Sequence, residues 1–155
     1  MAIPARLKSH LDQARVSYSS VIHIPTDSAQ YAAAAMHAPG KEVAKTVALR
    51  AEKGPVLAVL PASYHINFKK LAAAVGSEVQ LLAEDECHKL FSDCEPGTVP
   101  PFGELYGLPV YLDEALAEDP EIIFSVGTHS DAVRMGNVDF VRLARPRICS
   151  FADAP

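Results

Sequence analysis

The sequence predicts an α+β fold in which helices flank a mixed β-sheet. Segments with the alternating, β-branched pattern of strands are interspersed with segments of helical periodicity, in an order too irregular for a strict strand–helix–strand repeat. The composition is that of a globular protein, since 49% of the 155 residues are hydrophobic and 21% are charged. The chain shows no internal repeat, low-complexity segment or linker, so we expect residues 1–155 to form a single domain.

The first predicted elements are a helix, a strand and a second helix. Apolar residues recur on one stripe of segment 2–14, which favours a helix. Residues 16–24 are rich in β-branched and aromatic side chains and are followed by a proline, as is typical of a strand that ends there. Asp27 and Gln30 have the spacing of a capping box, which predicts a helix through the alanine-rich segment that ends at Met36.

A β-hairpin and a capped helix follow. Two β-rich runs, 43–51 and 56–60, are separated by a Gly-Pro turn signal, which predicts an antiparallel pair. Asn67 is a typical helix N-cap and Gly76 a typical helix end, so we expect a helix between them. The remaining elements are predicted as strands at 79–82, 110–112, 122–126 and 132–135, and as helices at 84–91, after Asp113 to 118, and from an Asn137 cap to 144.

Charge and cysteine content exclude several classes of protein. The formal net charge of −5 gives no reason to expect DNA as a partner, and any RNA contact would use a local basic patch. No apolar run approaches the length of a membrane span and no signal-peptide core follows Met1, so we expect no membrane partner. The three cysteines include no Cys-x-x-Cys pair, which argues against a disulfide framework and a structural zinc site and favours a reducing cytoplasm.

The sequence also lacks cofactor motifs. Its six histidines show no metal-ligand spacing, and it contains neither a Gly-x-x-x-x-Gly-Lys phosphate loop nor a Gly-x-Gly-x-x-Gly turn. We therefore expect neither a metal nor another cofactor.

The most informative stretch is the loop 97–103, Gly-Thr-Val-Pro-Pro-Phe-Gly. Its glycines permit positive φ and a close approach of backbone to ligand, whereas its prolines stiffen the chain and remove two backbone donors. Because the loop has almost no reactive side chains, it would serve a site by presenting backbone groups in fixed positions. The alternative is a connector between two elements, which Gly and Pro also mark.

Lys45 is the first side chain that could carry chemistry. Alternation along the predicted strand places it on one face with Val43, Val47 and Leu49. A lysine among aliphatic residues either extends its ammonium to solvent or lines a pocket, where it would supply positive charge for a phosphate or a developing oxyanion.

The second candidate is the polar segment that follows the strand at 122–126. His129 could donate to a ligand oxygen or act as a base, or belong to an ordinary polar turn. Sequence-adjacent Ser130 and Asp131 do not make a catalytic triad with it, because triads are assembled by the fold. Cys87 beside His88 suggests a nucleophile, but a free cysteine is more often a small buried hydrophobe.

In order and spacing, Lys45, the loop 97–103 and the segment 127–129 resemble the YbaK/prolyl-tRNA-synthetase-associated family of aminoacyl-tRNA editing deacylases. The resemblance extends from the first helix to about Val141. It implies a mixed, partly barrel-like sheet surrounded by helices, and hydrolysis of wrongly charged aminoacyl-tRNA, chiefly tRNA(Pro) that carries alanine or cysteine.

The resemblance also implies site residues. The family's lysine falls on Lys45, which becomes the catalytic candidate. The implied substrate-binding residues are Thr46, Gly97, Pro101, Phe102, Gly103, Gly127, Thr128 and His129. Thr46 stands where several relatives have asparagine or another polar residue, so this position bears on the choice of amino acid. Candidate contacts to the tRNA acceptor end are Lys41, Lys69, Lys70 and Arg134.

The expected reaction needs no protein nucleophile, because an aminoacyl ester is already activated. Lys45 would hold the terminal phosphate or stabilise developing charge, backbone groups of the loop 97–103 would hold the amino-acid end, and water would attack. Two alternatives remain open: a catalytically silent adaptor that binds tRNA or an aminoacyl-tRNA synthetase, and a hydrolase of another small ester or amide that uses His129 or Cys87.

Overall fold

A computed structural model describes residues 4–22 and 42–155 and has the predicted α+β architecture. Its helices are α1 (Ala5–Gln13), α2 (Phe68–Val75), α3 (Glu84–Leu90), α4 (Glu114–Ala117) and α5 (Asn137–Ala144), with a 3₁₀ turn at Gly103–Tyr106. Its strands are β1 (Tyr18–Ile22), β2 (Ala44–Ala51), β3 (Gly54–Pro61), β4 (His65–Ile66), β5 (Gln80–Leu81), β6 (Val110–Asp113), β7 (Glu121–Ser125), β8 (Asp131–Gly136), β9 (Arg147–Cys149) and β10 (Ala152–Asp153).

Two main sheets meet at one point. The larger sheet has the order β5–β2–β3–β6–β9. Strand β2 is antiparallel to its neighbours β5 and β3, and β6 is parallel to its neighbours β3 and β9. The smaller sheet, β1–β8–β7, is antiparallel, and β4 pairs separately with β10. A parallel bridge between Val43 and Ile123 joins the sheets, with the Ile123 amide donating to the Glu42 carbonyl at 3.1 Å. The expected mixed, partly closed sheet is confirmed.

The main core lies between the two sheets and beneath α1 and α5. Its centre is aromatic: the Phe102 ring lies 5.4 Å from the rings of Phe124 and Phe140, edge to face in both cases. Such pairs add orientation-dependent attraction to the burial of large apolar rings. A second apolar cluster covers the other face of the larger sheet, where Leu71 of α2 and Phe151 pack against it.

Local sequence signals locate most elements to within a few residues. The hairpin of β2 and β3 forms as predicted, and α2 has both predicted ends. The Asn67 side chain accepts a hydrogen bond from the Lys70 amide at 3.1 Å, and Gly76 ends the helix with a φ of +91°. These signals act over three or four residues and do not depend on the rest of the fold.

Other elements differ from the prediction. Asn137 is not a cap: Gly136 is the N-cap residue of α5, and the Asn137 amide donates to the carbonyls of Leu116 and Asp119 at 2.8 and 2.7 Å. The short strands β4, β9 and β10 and the 3₁₀ turn were not predicted. The predicted helix at 27–36 lies outside the described residues. None of the helices in the described ranges is long and apolar enough to cross a membrane.

Asp113 links β6 and α4 to the C-terminal strand region. Its carboxylate is almost completely buried and accepts hydrogen bonds from the amides of Phe151, Ala152 and Ala115 at 2.9, 2.9 and 3.0 Å. The last of these is the predicted cap of α4. Three backbone donors compensate the energetic cost of burying the carboxylate. Because two of them lie near residue 151, Asp113 also connects segments that are distant in sequence.

Replacing Asp113 by alanine leaves three backbone donors without their acceptor, two of them in the segment that covers the second cluster. We expect Asp113→Ala to lower the free energy of unfolding by about 3 kcal/mol, measured by chemical denaturation. Asp113→Asn keeps one acceptor oxygen and should lose less. Equal stability of the alanine variant and the wild type would contradict this role.

Candidate active site

Lys45 and Thr46 project from opposite faces of β2. Thr46 lies opposite Val59 of β3, on the face where Ala44 and Val59 join the main core. Lys45 lies opposite Leu60, which belongs to the second cluster. The predicted catalytic residue and its neighbour therefore face different sides of the sheet.

Lys45 lies in an apolar setting on β2. Val43, two residues before it on the same face, packs with Ile123 and Ala132 of the smaller sheet. The side chain is half-buried, and this burial lowers the pKa of Lys45 below its ordinary value. Within residues 4–22 and 42–155, no carboxylate lies within ion-pairing distance of its ammonium. A partly desolvated, unpaired cation of this kind attracts an anion or developing negative charge.

The turn from β7 into β8 is organised by Thr128. Its hydroxyl donates to the Asp131 carboxylate at 2.6 Å and accepts from the amides of Ser130 and Asp131 at 3.3 and 3.0 Å. The Val126 amide donates to the Asp131 carbonyl at 3.3 Å. The Thr128 hydroxyl is therefore engaged within the turn, as threonine hydroxyls commonly are.

Backbone hydrogen bonds tie this turn to the start of the Pro/Gly loop. The Gly127 amide donates to the Thr98 carbonyl at 2.9 Å, and the Gly127 carbonyl accepts from the Glu95 amide at 2.8 Å. Gly127 has a φ of +101°, and a Cβ there would lie 2.8 Å from the ring of Pro4. Glycine satisfies both the backbone angle and the limited space.

Glu95 adds a side-chain contact to the same junction. Its carboxylate accepts from the His129 amide at 2.8 Å, while its carbonyl accepts from the Thr98 hydroxyl at 2.7 Å. Hydrogen bonds to an ionised carboxylate are stronger than those between neutral groups. Glu95 thus fixes the backbone of His129 against the loop.

The Pro/Gly loop is exposed at its start and buried at its end. Gly97 is exposed with a φ of +79°, whereas Pro101 is buried and Phe102 is completely buried in the main core. A Cβ on Gly103 would lie 2.1 Å from the Leu108 carbonyl oxygen, so this glycine allows two backbone segments to approach closely. In this conformation the Phe102 ring supports the loop from beneath and has no surface for a substrate.

An ionic cluster anchors the chain just before the loop. Arg6 of α1 forms an ion pair with Asp93 at 2.8 Å, and its guanidinium lies 4.7 Å from the centre of the Tyr106 ring. The Tyr106 hydroxyl donates to the Asp93 carboxylate at 3.1 Å and lies 3.4 Å from the Cys94 sulfur. The cluster connects α1 to the 3₁₀ turn and holds residues 93 and 94 in place.

A cleft of about 880 Å³ opens between β2, β5, α3 and the loop 94–99. Two of the predicted substrate-binding residues, Thr46 and Gly97, line it, together with Ala48, Phe91 and Val99. The other lining residues are Val47, Leu81, Leu82, Glu84, Asp85, Cys87, His88, Lys89, Cys94, Glu95 and Pro96. The loop 97–103 therefore contributes its first residues to a cavity and its last residues to the core.

Both cysteines of the cleft are poorly suited to act as nucleophiles. Burial, followed by the nearby carboxylates of Glu84 and Asp85, raises the pKa of the Cys87 thiol, which points to the Leu82 carbonyl at 3.9 Å. Burial also raises the pKa of the Cys94 thiol to about 11. The reactive thiolate is therefore scarce at neutral pH for either residue.

The predicted tRNA contacts fall on separate surfaces. Lys69 and Lys70 are exposed on α2, where Lys70 lies 3.5 Å from the Asp153 carboxylate. Arg134 of β8 pairs with Glu121 at 3.4 Å. Lys41 lies outside the described residues. No group of three or more His, Cys, Asp or Glu side chains within the described ranges is arranged to hold a metal ion.

The structure thus divides the predicted site residues into groups. Thr46 and Gly97 both line the cleft. The segment 127–129 is hydrogen-bonded to Glu95 and Thr98, next to and within the start of the Pro/Gly loop. Lys45 lies on the opposite face of β2 and makes no hydrogen bond or ion pair with the loop in the described residues. Glu95 was missed because its role depends on a contact across 34 residues, for which the sequence offers no signal.

Comparison with known proteins identifies the family. The family model for the aminoacyl-tRNA editing domain matches residues 23–143, which include β2, the Pro/Gly loop and the turn at 127–131. The chain belongs to the aminoacyl-tRNA editing domain family. The resemblance drawn from Lys45 and the two glycine-containing segments is thereby confirmed.

Two curated relatives match part of this editing domain at moderate sequence identity. It is 30% identical over 97 residues, 62% of the chain, to the multifunctional Ser/Thr-tRNA deacylase ProXp-y of Escherichia coli K12 and to that of Escherichia coli O157:H7. The match spans 58% of the length of these curated relatives.

Solved structures share the fold. The editing domain superimposes with a TM-score of 0.83 on a candidate trans-editing enzyme for prolyl-tRNA synthetase, at 24% identity and with 96% of each chain covered. It superimposes with a TM-score of 0.85 on a protein described only as hypothetical, at 17% identity, with 96% of this chain and 99% of the other covered.

Removing the Glu95 carboxylate should loosen the turn that carries His129. We expect Glu95→Ala to speed hydrogen exchange of the His129 amide about tenfold or more, because a charge-assisted hydrogen bond is lost. Glu95→Gln retains an acceptor oxygen and should stay close to the wild type. Amide exchange measured by NMR reports this directly, and unchanged exchange in the alanine variant would show that the contact does not hold the turn.

Proposed function

We propose that this editing domain is an aminoacyl-tRNA deacylase that hydrolyses the ester of wrongly charged tRNA. The observation that carries the proposal is the half-buried ammonium of Lys45, which has no ion-pair partner among the described residues, in a chain of the editing family. Such a cation suits a substrate with a terminal phosphate and an ester that develops negative charge.

The proposed mechanism relies on positioning and not on a protein nucleophile. An aminoacyl ester is activated, and the neighbouring ribose hydroxyl can assist the attack of water. In this mechanism the substrate crosses the edge of β2: Lys45 on one face holds the terminal phosphate or stabilises the developing oxyanion, while backbone groups of the loop at Gly97 hold the amino-acid end on the other. The raised pKa values of Cys87 and Cys94 agree with a reaction that uses no thiolate.

Selection of the amino acid would depend on shape. A hydrophobic pocket favours a larger ligand by only about 1–3 kcal/mol per methylene, whereas steric exclusion of a larger residue can be more effective. Our first expectation is tRNA(Pro) that carries alanine or cysteine. Because two relatives are named Ser/Thr-tRNA deacylases, tRNAs charged with serine and threonine belong among the substrates to be tested.

The proposed partners follow from the substrate. They are the acceptor end of misacylated tRNA and, as a second candidate, an aminoacyl-tRNA synthetase, with the cytoplasm as the location of both. The rival function is a silent adaptor of the same fold, which would bind tRNA or a synthetase without turnover. A hydrolase that uses Cys87 is disfavoured by the thiol's raised pKa.

The decisive experiment is a deacylation assay on tRNAs charged with alanine, cysteine, serine, threonine and proline. We expect hydrolysis of at least one small-residue ester by the wild type, and a loss of about 100-fold or more in Lys45→Ala. A fall in kcat would assign Lys45 to the oxyanion, and a rise in KM to the phosphate. Undiminished turnover by Lys45→Ala would reject this role, and inactivity on every tRNA would favour the adaptor.

Matched variants separate chemistry from folding. Lys45→Met keeps most of the length of the side chain but removes its charge, so it should be inactive. We expect it to be no less stable than the wild type, because the folded protein no longer has to bury part of a charged group. Cys87→Ala and His129→Ala test the alternative hydrolase, because activity that survives both rejects Cys87 and His129 as nucleophiles.

Binding of tRNA should depend on salt through the exposed lysines of α2. Lys69→Gln is expected to weaken binding of deacylated tRNA for all sequences and to reduce the slope of log K against log salt concentration by about one. Lys53→Gln is the control. Lys53 lies in the turn between β2 and β3, and its replacement should leave the slope unchanged. An unaltered slope in Lys69→Gln would remove α2 from the tRNA surface.

A further inference from the structure

Within residues 4–22 and 42–155, the edge of β2 that faces away from β3 is paired at both ends and has no strand partner between them. At its start, the Glu42 carbonyl accepts from the Ile123 amide of β7 at 3.1 Å. Towards its end, the Ala48 carbonyl accepts from the Leu82 amide, next to β5, also at 3.1 Å. Thr46 lies midway, after the pairing with β7 has ended and before that with β5 begins.

Thr46 directs its own N–H and C=O away from β3 along this stretch of the edge. Along a strand of an antiparallel pair, residues bond alternately towards the partner and away from it. The Val43 carbonyl accepts from the Ala62 amide at 2.7 Å, so odd-numbered residues of β2 bond towards β3 and even-numbered ones bond outward. Of the strands in the described ranges, none is paired with Thr46 on the outward side.

The 880 Å³ cleft is lined by Thr46, by its neighbours Val47 and Ala48, and by Leu81 and Leu82 of the β5 region, which borders the same edge of β2. Among the described residues, its lining carries three carboxylates, those of Glu84, Asp85 and Glu95, against one lysine, Lys89. This charge balance favours a cation and opposes a phosphate. A ligand of the cleft therefore needs a hydrogen-bond acceptor for the Thr46 N–H, a donor for the Thr46 C=O and a positive charge.

An α-aminoacyl ester meets all three requirements. We propose that the aminoacyl group of the substrate pairs with the main chain of Thr46 as a single residue added to the sheet edge, an inference that rests on the proposed deacylase function. The ester carbonyl accepts from the Thr46 N–H, and the α-ammonium donates to the Thr46 C=O, as two residues do in an antiparallel hydrogen-bonded pair.

This mode of binding separates two tasks. The main chain of Thr46 recognises the α-amino acid unit, which is common to all aminoacyl esters, and the walls of the cleft sort the side chains by size. The phosphates of tRNA remain outside the acidic cleft. Esters without an α-ammonium, which are plentiful in any cell, lose both the donor and the positive charge and are rejected.

The first test uses the wild-type chain and the hydrolysis-resistant probe 3′-(L-alanylamino)-3′-deoxyadenosine. We expect the probe to shift the NMR signal of the Thr46 amide and to slow its hydrogen exchange. The analogue with a propionylamino group, which lacks only the α-amine, should bind about tenfold more weakly or worse. A Thr46 amide that is unaffected at saturation, or equal affinity for the two analogues, overturns the proposal.

The second test changes the protein. Thr46→Pro removes the N–H at a position where the described sheet does not use it, whereas Thr46→Val keeps the N–H and the side-chain shape. We expect the proline variant to bind the alanylamino probe at least about tenfold more weakly than the valine variant. Equal affinity of the proline and valine variants for the probe contradicts the proposal. If the proline variant does not fold, the comparison of the two analogues on the wild type decides.

The outcome is distinguishable from that of the deacylase proposal. Binding of the probe at Thr46 without hydrolysis of any charged tRNA supports the site and rejects the enzyme. Hydrolysis of charged tRNA without any response of the Thr46 amide to the probe supports the enzyme and rejects the site.

Discussion

The pairing of β2 is the constraint on which the rest of the structure depends. This strand bonds to β3 along its whole length, and on its other edge it meets β7 first and β5 later. The change of neighbour joins the two sheets, and it leaves a short stretch of the β2 edge without a strand partner in the part of the chain that the structure describes. Because side chains alternate, the strand that closes the core at Ala44 also presents Lys45 on the opposite face. Architecture and candidate chemistry thus arise from one ladder of hydrogen bonds.

A second principle is the use of backbone in place of reactive side chains. The loop and the turn near the candidate site are held by amide-to-carbonyl hydrogen bonds between Gly127 and the segment 95–98. Prolines and a buried Phe102 ring stiffen the support beneath them. Fixed dipoles need no reorganisation when charge develops, which is the physical basis of preorganised catalysis. The raised pKa of both cysteine thiols in the cleft is consistent with an activated ester as the substrate.

Sequence reasoning succeeded where a few neighbouring residues decide the structure. The cap at Asn67 and the alternation that groups Lys45 with Val47 and Leu49 are local properties, and both are present in the fold. It failed where distant partners compete. Asn137 resembles a cap, yet its amide bonds to a carbonyl 21 residues away. The sequence also gives no sign that the Phe102 ring is completely buried in the main core. No sequence pattern indicates that the Glu95 carboxylate contacts the amide of His129, 34 residues away.

The contact between Pro4 and Gly127 links the start of α1 mechanically to the turn that carries His129. The proline ring fills the space that any side chain at position 127 would need. Arg6, two residues later, forms the ion pair with Asp93, just before the loop. The first helix therefore acts as a brace for the loop and the turn, in addition to covering the core. A rigid fusion placed ahead of this helix, or a partner that tilts it, would therefore displace the loop and the turn together.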